Sequence, residues 1–229
     1  MEPHHNRTSG SKLRDVILGG QDGLVNVLGV ILAVAYATND ARIVIIAGLA
    51  ATFAESISMA AVAYTSFNAE RDYYRSELER EKYEIKHMPD QERKEIRDIY
   101  YRKGFRGNLL SSIVKKITSN KKLWLDIMMK DELNLHEDRT TNPGKSAFVV
   151  GISAFIGSVV PLASFFFLPV GDAIATSLVV STLTLFISGA VKARITIGNW
   201  VRSGLEMAAI GMAAAIVGYA IGASLGVVI

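Results

Sequence analysis

Residues 146–168 read SAFVVGISAFIGSVVPLASFFFL, and none of these 23 consecutive positions carries a charged side chain. At about 1.5 Å per helical residue, such a stretch is long enough to cross the roughly 30 Å of hydrocarbon in a bilayer. Residues 173–191 are also free of charge. These two stretches predict that the chain resides in a membrane.

Three further stretches are almost as apolar. Residues 16–37 contain Asp22 as their only charge, residues 43–64 contain only Glu55, and Glu206 is the sole charge within 203–229. Each stretch is near or above the length that spans a bilayer as a helix. We therefore predict an all-α fold with five transmembrane helices.

The charged residues are concentrated between the second and third spans, where residues 66–145 hold 18 of the 25 Lys and Arg and 15 of the 22 Asp and Glu. Acids and bases are interleaved there, whereas a nucleic-acid-binding protein presents a surface of one sign. The absence of cysteine excludes disulfides, iron–sulfur clusters and thiol nucleophiles. We predict four segments: a cytoplasmic N-terminus at 1–14, spans one and two at 15–65, a cytoplasmic helical domain at 66–145, and spans three to five at 146–229.

Orientation follows from the distribution of Lys and Arg, which favours the cytoplasmic side. The N-terminal flank, the charged insert and the connection that carries Lys192 and Arg194 are basic, and five spans place all three on one side. The other two connections hold one basic residue, Arg42. We expect the N-terminus and the insert to be cytoplasmic. No organelle address is evident, so a prokaryotic plasma membrane is the simplest location.

Two acids lie within the predicted spans. A carboxylate at membrane depth costs about 2.5–3.5 kcal/mol on insertion scales, so an acid kept there usually serves ions or protons. Asp22 is such an acid, although it also suits an interfacial helix cap. Glu55 is near the middle of the second span, and Met59 follows one turn later on the same face. A carboxylate with a thioether suits a late divalent ion such as Fe(II) better than Mg²⁺ or Ca²⁺.

The insert carries acids and methionines at helical spacing. Glu77, Glu81 and Glu84 form one stripe, Glu92 and Glu95 share a face on the next helix, and Met128, Met129 and Glu132 lie on a third. Antiparallel helices would gather these groups into an oxygen-rich metal site. Helices rich in Glu, Arg and Lys are also common where they only keep a surface solvated, and composition alone favours that interpretation.

The histidines add little to this picture. Glu84 and His87 have the Glu-x-x-His spacing of di-iron helix bundles, but residues 66–145 contain no second copy. His136 follows Glu132 by four residues and suits either a metal ligand or a surface position.

Several segments together resemble the vacuolar iron transporter family, and the resemblance covers nearly the whole chain from Arg14. The segments that carry it are RDVILGGQDGLV at 14–25, SMAA at 58–61, ERDY at 70–73, IY at 99–100 and DEL at 131–133. The resemblance implies a homodimeric exporter of Fe(II), and of other divalent ions such as Mn(II), out of the cytoplasm in exchange for protons. It also implies an ion path at the dimer interface, lined by the first two spans.

The same resemblance assigns roles to residues. Asp22 and Met59 match path ligands of the family, and the insert becomes a metal-binding domain. Its ligands would be Glu81, Glu84, Glu92, Glu95, Met128, Met129 and Glu132. One departure stands out, because many relatives carry a carboxylate where this chain has Ala63, and Glu55 is the only acid in that span. We include Glu55 among the expected path ligands.

Two other classes of protein fit parts of the sequence. One is a membrane-anchored di-iron oxidase or iron-storage protein with a ferritin-like insert, and the presence of only one Glu-x-x-His in that insert counts against it. The other is a membrane adaptor whose insert binds a protein partner, which leaves Glu55 unexplained. We therefore expect a transporter that takes a divalent metal as its substrate, with no resident cofactor and no enzymatic activity.

Overall fold

In the computed structural model, which describes residues 7–136, 142–196 and 198–225, all regular secondary structure is helical. Within these three ranges the chain forms eight α-helices: α1 Arg7–Thr38, α2 Ala41–His87, α3 Pro89–Arg102, α4 Gly107–Thr118, α5 Lys121–Ile127, α6 Pro143–Leu162, α7 Val170–Ile195 and α8 Trp200–Leu225. A π-helical turn, Met128–Glu132, follows α5, and a 3₁₀ turn, Ala163–Phe166, follows α6.

Five helices within these residues are long and apolar enough to cross a membrane, as the sequence predicts. They are the segments Leu13–Thr38, Ala41–His87, Pro143–Phe166, Val170–Ile195 and Trp200–Ser224. The second has 47 residues, or about 70 Å at 1.5 Å per residue, which is more than twice the hydrocarbon thickness. Only its apolar part, residues 43–64, suits the bilayer. The chain is a multi-pass integral membrane protein.

The chain divides into two compact units. The first comprises Met1–Tyr64 and Gly144–Ile229, and so holds the apolar helices. Its core is built around α1, whose Val27, Ile31 and Ala35 are buried together with Leu162 and Phe165. Further along the same helix, Leu28 and Leu32 pack with Ala215 of α8. The first span is therefore the central helix of this unit.

Small residues let these helices approach closely, because association in a membrane depends on tight van der Waals packing. A Cβ added at Gly218 of α8 would meet the carbonyl oxygen of Gly29, and one at Gly222 would meet that of Ala33, both on α1. Gly218 and Gly222 belong to a four-residue glycine repeat of the last span, and both pack within the chain. The third member of this repeat, Gly226, lies outside the described residues.

The second unit is Thr65–Pro143, the charged part of the chain. It contains the polar end of α2 together with α3, α4, α5 and the π-helical turn. Its apolar core includes Ile85, Ile96, Ile117, Trp124 and Met128. Since α2 ends at His87 and Pro89 begins α3, the acidic stretches of these two helices are separated by a single short break.

Candidate metal sites

Two carboxylates come together in the first unit. Asp22 and Asn26 are one turn apart on α1, and the Glu55 carboxyl of α2 lies near enough to interact with both side chains. Two acids side by side in apolar surroundings repel each other and are poorly solvated. A divalent cation between them would supply the missing positive charge.

The surroundings of Asp22 leave it accessible. Asp22 lines a cleft of about 240 Å³ with Leu18, Gln21 and Val25 of α1 and with Ile210 of α8. Asp22 and Glu55 are both partly exposed in the single chain. A partly exposed acid on a spanning helix needs a covering group or water, because lipid solvates it poorly.

Met59 follows Glu55 by one helical turn and is also partly buried. The helix therefore presents a carboxylate and a thioether on one side, as their spacing predicts. Ala63, one turn further on, is buried and only 5% exposed. An acid at that position would have to be accommodated inside the packed helices.

Three glutamates meet in the second unit. Glu81 and Glu84 of α2 and Glu92 of α3 each offer a carboxylate oxygen, and the three oxygens lie within 4.8 Å of one another. Glu81 and Glu92 are each 1% exposed, and the Oε2 atom of each has no hydrogen-bond partner. We call this group the glutamate cluster. Buried carboxylates without partners are costly, so the arrangement suits a bound cation.

The electrostatics of the glutamate cluster point the same way. Burial raises the pKa of the Glu81 carboxyl to about 7, and the negative charges of Glu132 and Glu84 add to the effect. Burial likewise raises the pKa of Glu92 to about 8, with repulsion from Glu95 and Glu81. Near neutral pH these acids hold protons that an incoming metal ion would displace.

The other predicted acids of the insert lie beside this cluster. Glu95 and Glu132 line a cleft of about 370 Å³ together with Asp98 and Arg102. Burial raises the pKa of Glu132, and the charges of Glu95 and Glu84 act in the same direction. The α3 helix and the π-helical turn thus bring two acids that are distant in sequence to one opening.

The two predicted methionines are both buried. Met128 is fully covered and belongs to the apolar core of the unit, and Met129 is 2% exposed. They begin the π-helical turn, in which the Leu133 amide donates to the Met128 carbonyl five residues back. π-helical turns are rare in proteins, and those that occur are often found at functional sites.

The histidines do not strengthen the metal assignment. His87 stacks on Tyr83 with 4.0 Å between ring centroids, and its Nδ1 lies 2.8 Å from the Tyr83 carbonyl oxygen. His136 is partly buried. The Glu84–His87 pair therefore lacks the geometry of a di-iron motif, since the ring of His87 is engaged with its own helix.

Sequence reasoning missed one member of the membrane group. Asn26 has no charge and does not stand out, yet its side chain reaches Glu55. The signal that was available is its spacing, because Asn26 follows Asp22 by four residues and so shares its helix face.

Spanning helices that contain acids, together with a polar helical unit rich in glutamate, are typical of a membrane transporter for cations. The sequence profile of the VIT family matches residues 13–223, and the chain belongs to that family.

Named relatives agree over most of the chain. The chain is 34% identical to vacuolar iron transporter 1 of Tulipa gesneriana, over 93% of its own length and 87% of the relative. It is 36% identical to vacuolar iron transporter 2 of Oryza sativa subsp. japonica, over 89% and 83%. It is 33% identical to vacuolar iron transporter 1 of Arabidopsis thaliana, over 91% and 85%. The resemblance read from the sequence is confirmed, and the names of these relatives support metal transport.

Proposed function

We propose that this protein exports Fe(II), and also Mn(II), from the cytoplasm in exchange for protons. The observation that carries the proposal is the meeting of Asp22 and Glu55 among spanning helices. Two unlike helices hold two acids together at membrane depth, which is costly unless a cation or protons use them. The choice of iron as the metal is supported by the names of the relatives, which are vacuolar iron transporters.

The ion path in this proposal contains Asp22, Glu55 and Met59. Two carboxylates balance the charge of a dication, and the thioether favours a late transition metal over Mg²⁺ or Ca²⁺. Asn26 adds a neutral amide oxygen next to the acids. Glu55 then takes the place of the carboxylate that many relatives carry where this chain has Ala63.

The glutamate cluster, with Glu95, Glu132, Met128 and Met129, collects the metal before transport. Its summed negative potential raises the local concentration of divalent cations. The buried oxygens of Glu81 and Glu92 that lack hydrogen-bond partners support this role, because a bound ion would give them one. Ligand exchange with the aqueous phase takes place through the cleft beside Glu95 and Glu132.

Proton exchange follows from the same ligands. A carboxylate must be deprotonated to bind metal, so arrival of the ion releases protons and its departure allows protonation. Under an imposed pH gradient, protonation on the acidic side promotes metal release there. The coupling therefore needs no separate proton pathway.

A second copy of the chain completes the path in this proposal. Asp22 and Glu55 are partly exposed in one chain, and apposing the α1 and α2 faces of two chains would shield four acids from lipid. The three basic regions of the sequence support a cytoplasmic N-terminus and insert. For a prokaryotic chain, the membrane is the plasma membrane.

Flux measurements test the proposal. We would reconstitute the full chain in vesicles with an acidic interior and follow Fe(II) and Mn(II) uptake with a fluorescent chelator inside. We expect uptake that depends on the pH gradient and is accompanied by a rise in internal pH. Asp22→Asn and Glu55→Gln should each reduce uptake at least about tenfold, because each removes a charged ligand from the path.

Asp40→Asn is the matched control. Asp40 is exposed between α1 and α2 and accepts a hydrogen bond from the Arg42 amide at 2.7 Å, a capping role that Asn also performs. We expect full uptake for this variant. Wild-type uptake by Asp22→Asn and Glu55→Gln would refute the path, and uptake without any pH change would refute the proton exchange.

A further inference from the structure

One cation of the protein already occupies part of the glutamate cluster. Arg80 of α2 lies between the acids of its own helix, with Nη2 2.8 Å from Glu77 Oε2 and 3.6 Å from Glu81 Oε1. Its Nε is 3.8 Å from Glu84 Oε2. A guanidinium is charged at all physiological pH values, so these three acids share one permanent positive charge.

The positive charge of Arg80 is insufficient for the acids around it. Glu81 uses Oε1 toward Arg80, but its Oε2 has no hydrogen-bond partner, and neither has Oε2 of Glu92. Glu81 and Glu84 are also two of the three acids whose oxygens converge within 4.8 Å. Two of the three carboxylates that would hold a metal ion therefore also pair with Arg80.

We propose that Arg80 is a resident counter-ion of the glutamate cluster: it pairs with Glu81 and Glu84 when no metal is bound, and a divalent ion displaces it. This inference rests on the proposed role of the cluster in collecting metal. The Arg80 side chain is 51% exposed, so its guanidinium can turn into solvent without opening the apolar core.

This arrangement lowers the affinity of the cluster and speeds release. An incoming dication must break the pairs with Arg80 and then remain near a positive charge. At about 6 Å and with the screening of water, repulsion between a dication and one positive charge amounts to about tenfold in affinity. A collecting site that must pass its ion onward benefits from this, since very tight binding would trap the ion.

Metal titration of the full chain in detergent tests the inference. We would measure Mn(II) binding by electron paramagnetic resonance for wild type, Arg80→Gln and Lys82→Gln. Lys82 is on the same helix, is similarly exposed and pairs with Glu79 at 2.7 Å, so it controls for loss of one positive charge. We expect Arg80→Gln to bind Mn(II) about tenfold more tightly and Lys82→Gln to change affinity less than about twofold.

Transport kinetics distinguish a counter-ion from an arginine that only stabilises the fold, because the two roles predict different changes in KM and maximal rate. In vesicles, Arg80→Gln should lower the KM for Mn(II) and also lower the maximal rate, because tighter binding slows release. Arg80→Lys keeps the charge and should restore most of both values. Weaker or unchanged Mn(II) binding by Arg80→Gln would overturn the inference.

One further variant separates this inference from the proposed function. Glu81→Gln removes a central ligand and should weaken Mn(II) binding if the cluster collects metal. If Glu81→Gln loses binding and Arg80→Gln does not tighten it, only the counter-ion role fails. If Glu81→Gln binds Mn(II) like wild type, the collecting role of the cluster fails, and the counter-ion role fails with it.

Discussion

At the scale of single residues, the decisive feature is the burial of acids without partners. Glu92 of α3 is 1% exposed, and one of its carboxylate oxygens lacks a hydrogen bond. Glu79, only two residues before Glu81, has a side chain that is 71% exposed and pairs with Lys82. Neighbouring glutamates thus differ in environment, and only the buried ones carry a cost that a cation can relieve.

This difference predicts a pH-dependent stability. The pKa of Glu92 rises from 4.5 to about 8 on folding, so between these pH values the folded state binds more protons than the unfolded state. Stability of the metal-free protein therefore falls as pH rises through this range. Glu92→Gln removes the effect. At pH 8 it should slow amide exchange in α3, because the free energy of opening this helix should rise by about 1–3 kcal/mol.

Hydrogen exchange of the full chain with a chelator present measures this, variant against wild type at each pH. At pH 5 the Glu92→Gln variant should match wild type, because the native carboxyl is then protonated. Glu79→Gln is the control, and its amide exchange should match that of wild type at both pH values. If Glu92→Gln gained the same protection over wild type at pH 5 as at pH 8, the effect could not come from the buried charge.

At the scale of elements, the spacing of α1 and α8 depends on glycine. Gly218 lies against the backbone of Gly29, so even a methyl group there has to push the helices apart. Overpacking of this kind costs about 1–3 kcal/mol. We expect Gly218→Ala to lower the thermal midpoint of the protein in detergent.

Gly171 near the start of α7 is the matched control for this change. A Cβ there meets nothing within 4 Å, so Gly171→Ala should be neutral or slightly stabilising through its better helix propensity. A midpoint for Gly218→Ala equal to that of Gly171→Ala would show that α1 and α8 do not need this close approach.

Helix periodicity predicts some of these features and not others. Five charge-poor stretches predict five spans because helix length and bilayer thickness are both known, and the described part of the chain contains five such helices. Glu81 and Glu84 are visible as one stripe because they share a helix. Local patterns do not specify how separate helices pack. They therefore do not predict that Glu92 joins the glutamate cluster, that Glu81 is buried, or that Asn26 lies near Glu55.

The glycine repeats illustrate the same limit. The four-residue spacing of Gly218 and Gly222 indicates that another helix packs closely against them, but it does not identify that helix. Helices that are merely rich in glycine and a specific seam between two copies are equally compatible with the sequence. Packing against Gly29 and Ala33 assigns these two glycines to the chain itself.

At the scale of the whole molecule, the proposed dimer can be tested by cysteine crosslinking, because the sequence contains no native cysteine. Leu18 lines the cleft beside Asp22 and is 49% exposed in one chain. If two copies meet along this face, Leu18→Cys should form covalent dimers with a short thiol-reactive crosslinker in dilute membranes. Gel electrophoresis would read the result without background from native thiols.

Ile187→Cys serves as the control for chance encounters. Ile187 is on α7 and is 58% exposed, so its thiol would be similarly accessible from the bilayer. We expect little crosslinking at this position. Equal yields at both positions, or none at Leu18, would contradict a dimer interface on the α1 face.

The π-helical turn has a consequence for how relatives are compared. Its i to i+5 hydrogen bond accommodates one residue more than an α-helical turn, so loss of the Lys130 or Asp131 codon would let an ordinary helical turn form in its place. A chain with that deletion would keep both thioethers and Glu132 but would lose the wide turn that now holds them. Sequence alignment alone therefore does not establish that a relative shares this arrangement.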